Sequence, residues 1–569
     1  MASRPPDTSI SPPAFNDKPL LIVTVLLGVI FAWLGRFAMI SDGISYLDLG
    51  DAYLRGDWAM AANAYWSPMY ACLLGVAMRI LRPSIWWEFP VVHLVNFVAF
   101  LAALFSFRYF LQNLLRGDEE SPEDGRSLRV PDWAVWGIGY GLFVWYSLVL
   151  IGIEFISPDL LLSAWVFLFA GLLLQLRTEV SYARFAALGF VLGAAYLTKG
   201  AMFPLSIVFL GIALFAGKLT MPRVVGVVLA TVLFALVAAP LVLLLSRAKE
   251  RLTFGDTGKL AYAWKVSPGA SPANWQGGPD PAEIPLHPTR QLLTYPALYE
   301  FAEPVGGTYP PWYDPSYWND GLRPRFNFRS QVRAFLQSLV KYGDLLTNQL
   351  GLMASMLTLI LFGGRSALKS LLRHWPLLTI GLAALGLYSL VWVLPRYVGV
   401  FVVLSGIALV AGLRLPHGPN LDGVVRAVAI AAIITTGLTP AQALFEKAYQ
   451  AISGGHSYME REPMRAAEGL FQLGLKPGAR VAVITPGITD FWARLGRFKI
   501  VCQIESPSSG SDEFWNSSQP QKEEVYAVMA RTGARAVVTW NSTGADLGPG
   551  WQRLPGTFYH AHLLPELAK

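Results

Sequence analysis

Long uninterrupted apolar runs dominate the pattern along this chain, in place of the short amphipathic periods of a water-soluble protein. About eleven of them reach or approach the roughly 20 residues that carry a helix across a bilayer. They fall at 20–40, 89–114, 131–153, 159–176, 183–198, 201–217, 223–246, 345–363, 375–394, 397–414 and 424–442. Two long polar stretches, 41–88 and 247–342, and a tail, 443–569, carry no spanning run. Within the first stretch, Ser67–Leu81 is apolar but short, with Arg79 and Arg82 at its end. About 15 residues suit a helix lying along the interface better than a crossing. The tail alternates short buried-strand runs, Arg480–Thr485, Lys499–Ile504 and Ala534–Trp540, with a helical run at Pro520–Arg531. That alternation predicts a small α/β domain around a parallel sheet.

The predicted fold class is mainly α: a polytopic membrane helical bundle with a C-terminal soluble α/β domain. Residues 1–19, polar and proline-rich, form a disordered cytoplasmic N-terminus. Residues 20–442 form the transmembrane domain with outer loops 41–88 and 247–342, and 443–569 the periplasmic domain. The first apolar run is too long for a signal-peptide core and is read as a span that stays.

Composition sharpens this. The chain is 54% hydrophobic and only 15% charged, where about 25% charge is usual for soluble domains. A disordered chain, a collagen-like chain and an ordinary soluble enzyme are excluded. The net charge of +7 fits basic cytoplasmic loops and not a nucleic-acid partner. With the N-terminus inside, the inner loops hold Arg116, Arg126, Arg129, Arg177, Arg184, Lys218, Arg223, Arg365, Lys369, Arg373, Arg414 and Arg426. The short outer connections hold only Lys199 and Arg396. This asymmetry predicts a multi-pass protein of the inner (plasma) membrane with 41–88, 247–342 and the tail on the outer side. Two cysteines, Cys72 and Cys502, make no disulfide framework. No internal repeat is visible, which weighs against the symmetric folds of secondary transporters.

The candidate chemistry sits where charges meet the outer membrane edge. Asp42 follows the first span directly, in Met39-Ile40-Ser41-Asp42-Gly43. Ser41 or Asp42 can cap the following helix. A carboxylate there, with Tyr46, Trp58, Tyr65, Trp66 and Tyr70 nearby, also suits a base facing a lipid-linked substrate. Asp48, Asp51 and Arg55 share one helix face and read as a solvated surface. Glu154 and Asp159 lie between two spans at the same level. Charged groups at a bilayer edge are costly enough to suggest function. Lys199 and Arg396 break the positive-inside trend, as snorkelling anchors or as partners for a phosphate. His560 and His562 share a face in the tail, but two ligands make a poor metal site.

The run from the first span to Lys199 resembles the GT-C superfamily of membrane glycosyltransferases. It is most similar to the branch holding the lipid A aminoarabinose transferases and the protein O-mannosyltransferases. The matching motifs, in order, are Asp42-Gly43-Ile44-Ser45-Tyr46, Gly56-Asp57-Trp58, Tyr65-Trp66-Ser67-Pro68-Met69-Tyr70, Ser157-Pro158-Asp159 and Leu197-Thr198-Lys199-Gly200. Beyond residue 200 only the span-rich architecture and Arg396-Tyr397 agree. The resemblance implies a polyprenyl-phosphate sugar donor and a lipid, glycan or protein acceptor. It makes Asp42 and Asp159 catalytic candidates, to which position adds Glu154; Lys199, Arg396, Tyr46, Trp66 and Tyr70 are the candidate substrate contacts. Gly43 stands where the branch often has a second acid. No cofactor is certain; a divalent cation stays open, because related oligosaccharyltransferases use one and the closer branch generally does not. The expected reaction is inverting sugar transfer on the periplasmic side with Asp42 as base. The alternatives are a non-enzymatic transporter or flippase of a lipid-linked saccharide and a sugar-binding scaffold.

Overall fold

The computed structural model describes residues 15–119, 127–268, 274–278, 283–416, 421–453, 459–484, 486–504, 510–542 and 547–565. Each of the eleven apolar runs lies on a helix. Seven helices are long and apolar enough to cross a membrane: Ile85–Gly117, Asp132–Ile151, Asp159–Thr178, Met221–Ala248, Leu350–Ser370, Pro395–Gly412 and Leu421–Ser453. The other four, Lys18–Leu34, Tyr182–Thr198, Met202–Phe215 and Trp375–Ser389, have 17, 17, 14 and 15 residues. Gly364, at φ +56°, interrupts Leu350–Ser370 in the left-handed region that glycine tolerates.

The apolar stretches of Asp132–Ile151 and Asp159–Thr178 are 78% and 83% enclosed, against 22% for Met221–Ala248, Leu350–Ser370 and Leu421–Ser453. The first two therefore form the centre of the bundle, and the last three its rim. Phenylalanines fill the centre: the Phe107 ring packs tilted against Phe143 at 5.0 Å and edge-on against Phe167 at 5.2 Å. The chain is a polytopic helical membrane protein carrying a sheet-containing C-terminal domain.

At one end of the bundle Ser127–Arg129 pairs antiparallel with Arg414–Pro416. Arg108 there forks onto Asp17 at 2.5 and 2.9 Å, and the Tyr140 hydroxyl donates to the same carboxylate. Residues 1–14 of the N-terminal segment expected to be disordered lie outside the described residues, but its last part is ordered through Asp17 and the helix from Lys18.

The other end is covered by the loops and the tail. Ser41–Arg55 and Pro68–Leu81 cross so closely that a Cβ at Gly75 would sit 2.8 Å from the Gly50 carbonyl oxygen. At 14 residues, Pro68–Leu81 spans about 21 Å, short of a ~30 Å hydrocarbon core. It buries Tyr70, Ala71, Leu74 and Met78 and exposes Leu73, Val76 and Ile80, the division of a helix lying at an interface.

The tail's sheet has seven strands. Arg480–Val483 runs parallel to Lys499–Ile504 on one side and to Ala536–Trp540 on the other. The outer strands are antiparallel: Tyr559–Leu563 pairs with Ala536–Trp540, and Trp551–Arg553 with Tyr559–Leu563. Ala297–Glu300, from the 247–342 loop, pairs antiparallel with Lys499–Ile504, and Arg290–Thr294 extends the edge. The expected parallel sheet is thus present at the centre, while both flanks are antiparallel, each ending in a short hairpin, Arg290–Thr294 with Ala297–Glu300 and Trp551–Arg553 with Tyr559–Leu563. The sheet also joins the 247–342 loop to the tail as one folded unit.

Candidate active site

Asp42 stands in the first turn of Ser41–Arg55. Ile40, extended at φ −133° and ψ 161°, occupies the cap position and makes no side-chain cap bond, so the capping alternative for Asp42 is not what the structure shows. The carboxylate reaches outward from the helix. One oxygen accepts from the Trp312 indole N–H at 3.2 Å, and the other faces an Arg396 Nη2 at 3.4 Å.

Asp159 arrives by a different route. The helix from Asp132 widens into a π-helical turn at Trp145–Ile151, and Gly152 at φ +75° ends it. π-Turns of this kind concentrate at functional sites. The segment 152–158 then crosses the bundle end and delivers Asp159 as the first residue of Asp159–Thr178, after Pro158. Its side chain is 2% exposed. It is held by Lys199 Nζ at 2.5 Å, by the Ser157 hydroxyl at 2.9 Å and by Arg396 Nη1 at 3.8 Å.

Lys199 lies in the break between Tyr182–Thr198 and Met202–Phe215, with its ammonium 3.6 Å from the Tyr397 ring centroid. Arg396 opens Pro395–Gly412, and its guanidinium lies 4.4 Å from the Phe155 ring centroid. The result is an alternating chain, Asp42, Arg396, Asp159, Lys199, drawn from four separate segments. Two acids and two cations cancel, which is how ionised side chains persist at a low-dielectric edge. Burial pushes the Asp42 carboxyl up from its ordinary range, with Arg396 and Trp312 opposing.

Glu154 stands apart. Its carboxylate pairs with Lys447 Nζ at 2.7 Å, on the extension of Leu421–Ser453 past the last apolar run. Tyr46, Trp66 and Tyr70 form an enclosed aromatic layer, with Tyr46 5.0 Å from Trp66 and 5.1 Å from Tyr70. Two of the polar tips are committed within the protein: the Tyr70 hydroxyl donates to Asn96 Oδ1 at 2.5 Å, and Trp66 Nε1 to the Trp312 carbonyl at 3.1 Å. Trp66 and Tyr70 therefore support Trp312 more than they face a ligand. Asp48 is buried instead of solvated: Arg494 Nη1 lies 2.7 Å from it and from Asp51, and Arg494 Nε lies 2.7 Å from Glu88.

Among the described residues no group of three His, Cys, Asp or Glu side chains stands together as metal ligands. Arg396 lies between Asp42 and Asp159, so a divalent ion would have to displace a guanidinium. These residues do not fit a resident metal.

The position of Trp312 was not legible as a site residue, since it is one of eleven Trp and Tyr residues in the 247–342 loop. Arg494 gave no signal either, as a single arginine in a water-facing segment.

The helix order, the short helices after the first span and the charged cluster at one bundle end make up a polytopic helical fold with its buried charges gathered at one end. A scan against protein-family models finds no match, and a comparison with curated proteins finds none. Among solved structures, the chain shares its fold with ArnT from Cupriavidus metallidurans in the apo state. The TM-score is 0.52 at 12% identity, covering 96% of this chain and 98% of that one. The same protein bound to undecaprenyl phosphate aligns at TM-score 0.42 and 13% identity, with the same coverage. The likeness is one of fold.

Proposed function

We propose that this protein is an inverting membrane glycosyltransferase that moves a sugar from a polyprenyl-phosphate donor to an acceptor hydroxyl at the periplasmic face of the inner membrane. The observation that carries the reading is the alternation of half-buried Asp42, Arg396 and Lys199 around buried Asp159 at one end of the bundle. The Lys/Arg asymmetry of the loops supports placing that end outside.

The residues divide the reaction between them. The donor's C1 is bonded to a phosphate oxygen. The acceptor oxygen forms a new bond to C1 while its proton passes to Asp42, the base. The C1–O bond to phosphate breaks, and its electron pair leaves on the phosphate oxygen, giving free polyprenyl phosphate. Negative charge grows on that oxygen as the bond lengthens. Arg396 and Lys199 stabilise it there more than in the ground state, which is what lowers a barrier. Asp159 holds both cations in place and acts by positioning. One displacement inverts the anomeric centre. Burial, by raising the Asp42 carboxyl against the opposing pull of Arg396 and Trp312, makes it a stronger proton acceptor than an exposed aspartate.

Mass spectrometry of membrane lipids and envelope glycans, with and without the gene, tests the reading. The expected result is an accumulated polyprenyl-phosphate sugar and a glycan or lipid lacking that sugar. Identical lipid and glycan profiles would overturn it.

A further inference from the structure

Lys199 and Arg396 are two like charges gathered at one carboxylate, Asp159, at 2.5 and 3.8 Å. Cations drawn this close repel each other, so holding them together takes more than one restraint. A second carboxylate between them would do so, but it would also cancel the charge that attracts an anion. Asp42 pairs with Arg396 at 3.4 Å. The restraint that reaches both cations besides Asp159 is an uncharged side chain, Tyr397.

The Lys199 ammonium stands 3.6 Å from the centre of the Tyr397 ring. Arg396 Nη2 donates to the Tyr397 hydroxyl at 3.3 Å, and the guanidinium carbon lies 4.9 Å from the same ring centre. That guanidinium also lies 4.4 Å from the Phe155 ring centre, so two aromatic side chains fix it. An aromatic face attracts a cation through its quadrupole. It therefore holds Lys199 without changing the net charge, and the neutral hydroxyl holds Arg396 in the same way.

Tyr397 is itself anchored. It lies in the first turn of Pro395–Gly412, where its backbone N–H donates to the Leu394 carbonyl at 2.9 Å. Its ring packs tilted against Tyr388 at 5.6 Å and edge-on against Trp392 at 6.4 Å. A phenol hydroxyl both donates and accepts. This one accepts from Arg396, and its own proton meets no acceptor among the described residues.

We infer that Tyr397 is a positioning residue of the donor site: its ring holds Lys199 and its hydroxyl holds Arg396, keeping the two together as a phosphate-binding pair while neutralising neither. This rests on the transferase reading above for what the pair does in turnover; the effect on phosphate binding is measured apart from it.

Calorimetric titration of undecaprenyl phosphate into the full chain in nanodiscs, with no sugar and no acceptor present, tests it. Tyr397→Phe keeps the ring and removes the hydroxyl; Tyr397→Leu removes both. Affinity should fall about three- to tenfold in Tyr397→Phe and about 10- to 100-fold in Tyr397→Leu, from the loss of a hydrogen bond to a charged group and of a cation–ring contact. A side chain that acts through the cations gives losses that do not add. With Lys199→Ala in place the ring has lost its ammonium, so Tyr397→Phe and Tyr397→Leu should then weaken binding equally. Tyr397→Phe is nearly isosteric, so it keeps the test decisive if Tyr397→Leu fails to fold. Wild-type affinity in Tyr397→Phe overturns the part given to the hydroxyl. Equal affinities of the two variants while Lys199 is present overturn the part given to the ring, as does a gap between them that persists unchanged without Lys199. A wild-type protein that binds no undecaprenyl phosphate overturns the donor reading together with this inference, whereas wild-type binding with unmoved variants overturns this inference alone. If binding falls as expected but no sugar transfer is found, the transferase reading fails and the role of Tyr397 stands.

Discussion

Arg494→Gln should loosen the tail from the bundle far more than its single charge suggests. The side chain is 4% exposed and meets three carboxylates at 2.7 Å: Asp48, Asp51 and Glu88, which are 7%, 31% and 2% exposed. Asp51 is nearly a third exposed and is discounted for solvent screening. Glu88 keeps a second partner in Arg497, whose Nη2 also lies 2.7 Å away. Asp48 keeps only the Thr308 backbone N–H at 2.6 Å and the Thr308 hydroxyl at 3.1 Å. Removing one partner of a buried ion pair costs about 3–5 kcal/mol. The retained Arg497 places the cost near the lower end, about 3 kcal/mol, or roughly a hundredfold in the docking equilibrium. Asp48 lies on the same helix as Asp42, so loss of the clasp should also lower transfer. Limited proteolysis and thermal unfolding of the purified protein measure the effect. Arg480→Gln is the control, since its partner Glu303 is 74% exposed and a surface pair contributes about 0–1 kcal/mol. Glu88→Gln added to Arg494→Gln should cost less than the two changes summed, because it removes a stranded charge. An Arg494→Gln protein that resists protease and melts like the Arg480→Gln control would refute the reasoning.

Lys199→Ala and Arg396→Ala should each weaken polyprenyl-phosphate binding about 10- to 100-fold, from the ~1.5–3 kcal/mol of a charge-assisted hydrogen bond; titration calorimetry with the lipid phosphate reads this, and unchanged affinity would remove both from the donor site. Transfer should fall as pH drops through a value above the ~3.9 of an ordinary aspartate, because burial raises the Asp42 carboxyl and protonation destroys the base; a profile flat to about pH 4 would contradict this. Gly75→Leu should destabilise the protein by about 1–3 kcal/mol, because its Cβ meets the Gly50 carbonyl; a thermal midpoint equal to wild type would show that the two helices separate easily.

The membrane helices were legible because spanning demands long apolar runs, a signal strong in a single sequence. Asp42, Asp159, Lys199 and Arg396 stood out for a related reason: a charge at the bilayer edge is expensive, so each one is conspicuous. The same signal misplaced Glu154 within the cluster. Its partner Lys447 lies on a helix that continues past the last apolar run, where hydropathy is silent. Trp66 and Tyr70, candidate substrate contacts in the sequence, turn their polar tips to Trp312 and Asn96, since an aromatic side chain looks the same in sequence whether it faces a ligand or a neighbour. The strands Arg290–Thr294 and Ala297–Glu300 gave no pattern, being four or five residues long in a proline-rich loop. They belong to the sheet only because the tail, nearly 200 residues later, supplies their partner. Arg494 is the clearest case: its role comes from three acids on two segments more than 400 positions away, and no local pattern marks it.

The central claim is that Asp42 takes the acceptor's proton. Wild-type and Asp42→Asn protein, each in vesicles loaded with an envelope-lipid extract and a labelled polyprenyl-phosphate sugar, test it most directly. The wild type should form a new labelled glycosidic bond and release polyprenyl phosphate. The variant should lose about 10²- to 10⁴-fold in rate while still binding polyprenyl phosphate with wild-type affinity. Transfer by Asp42→Asn at the wild-type rate, or movement of the labelled lipid across the vesicle membrane with no new glycosidic bond, would contradict the account.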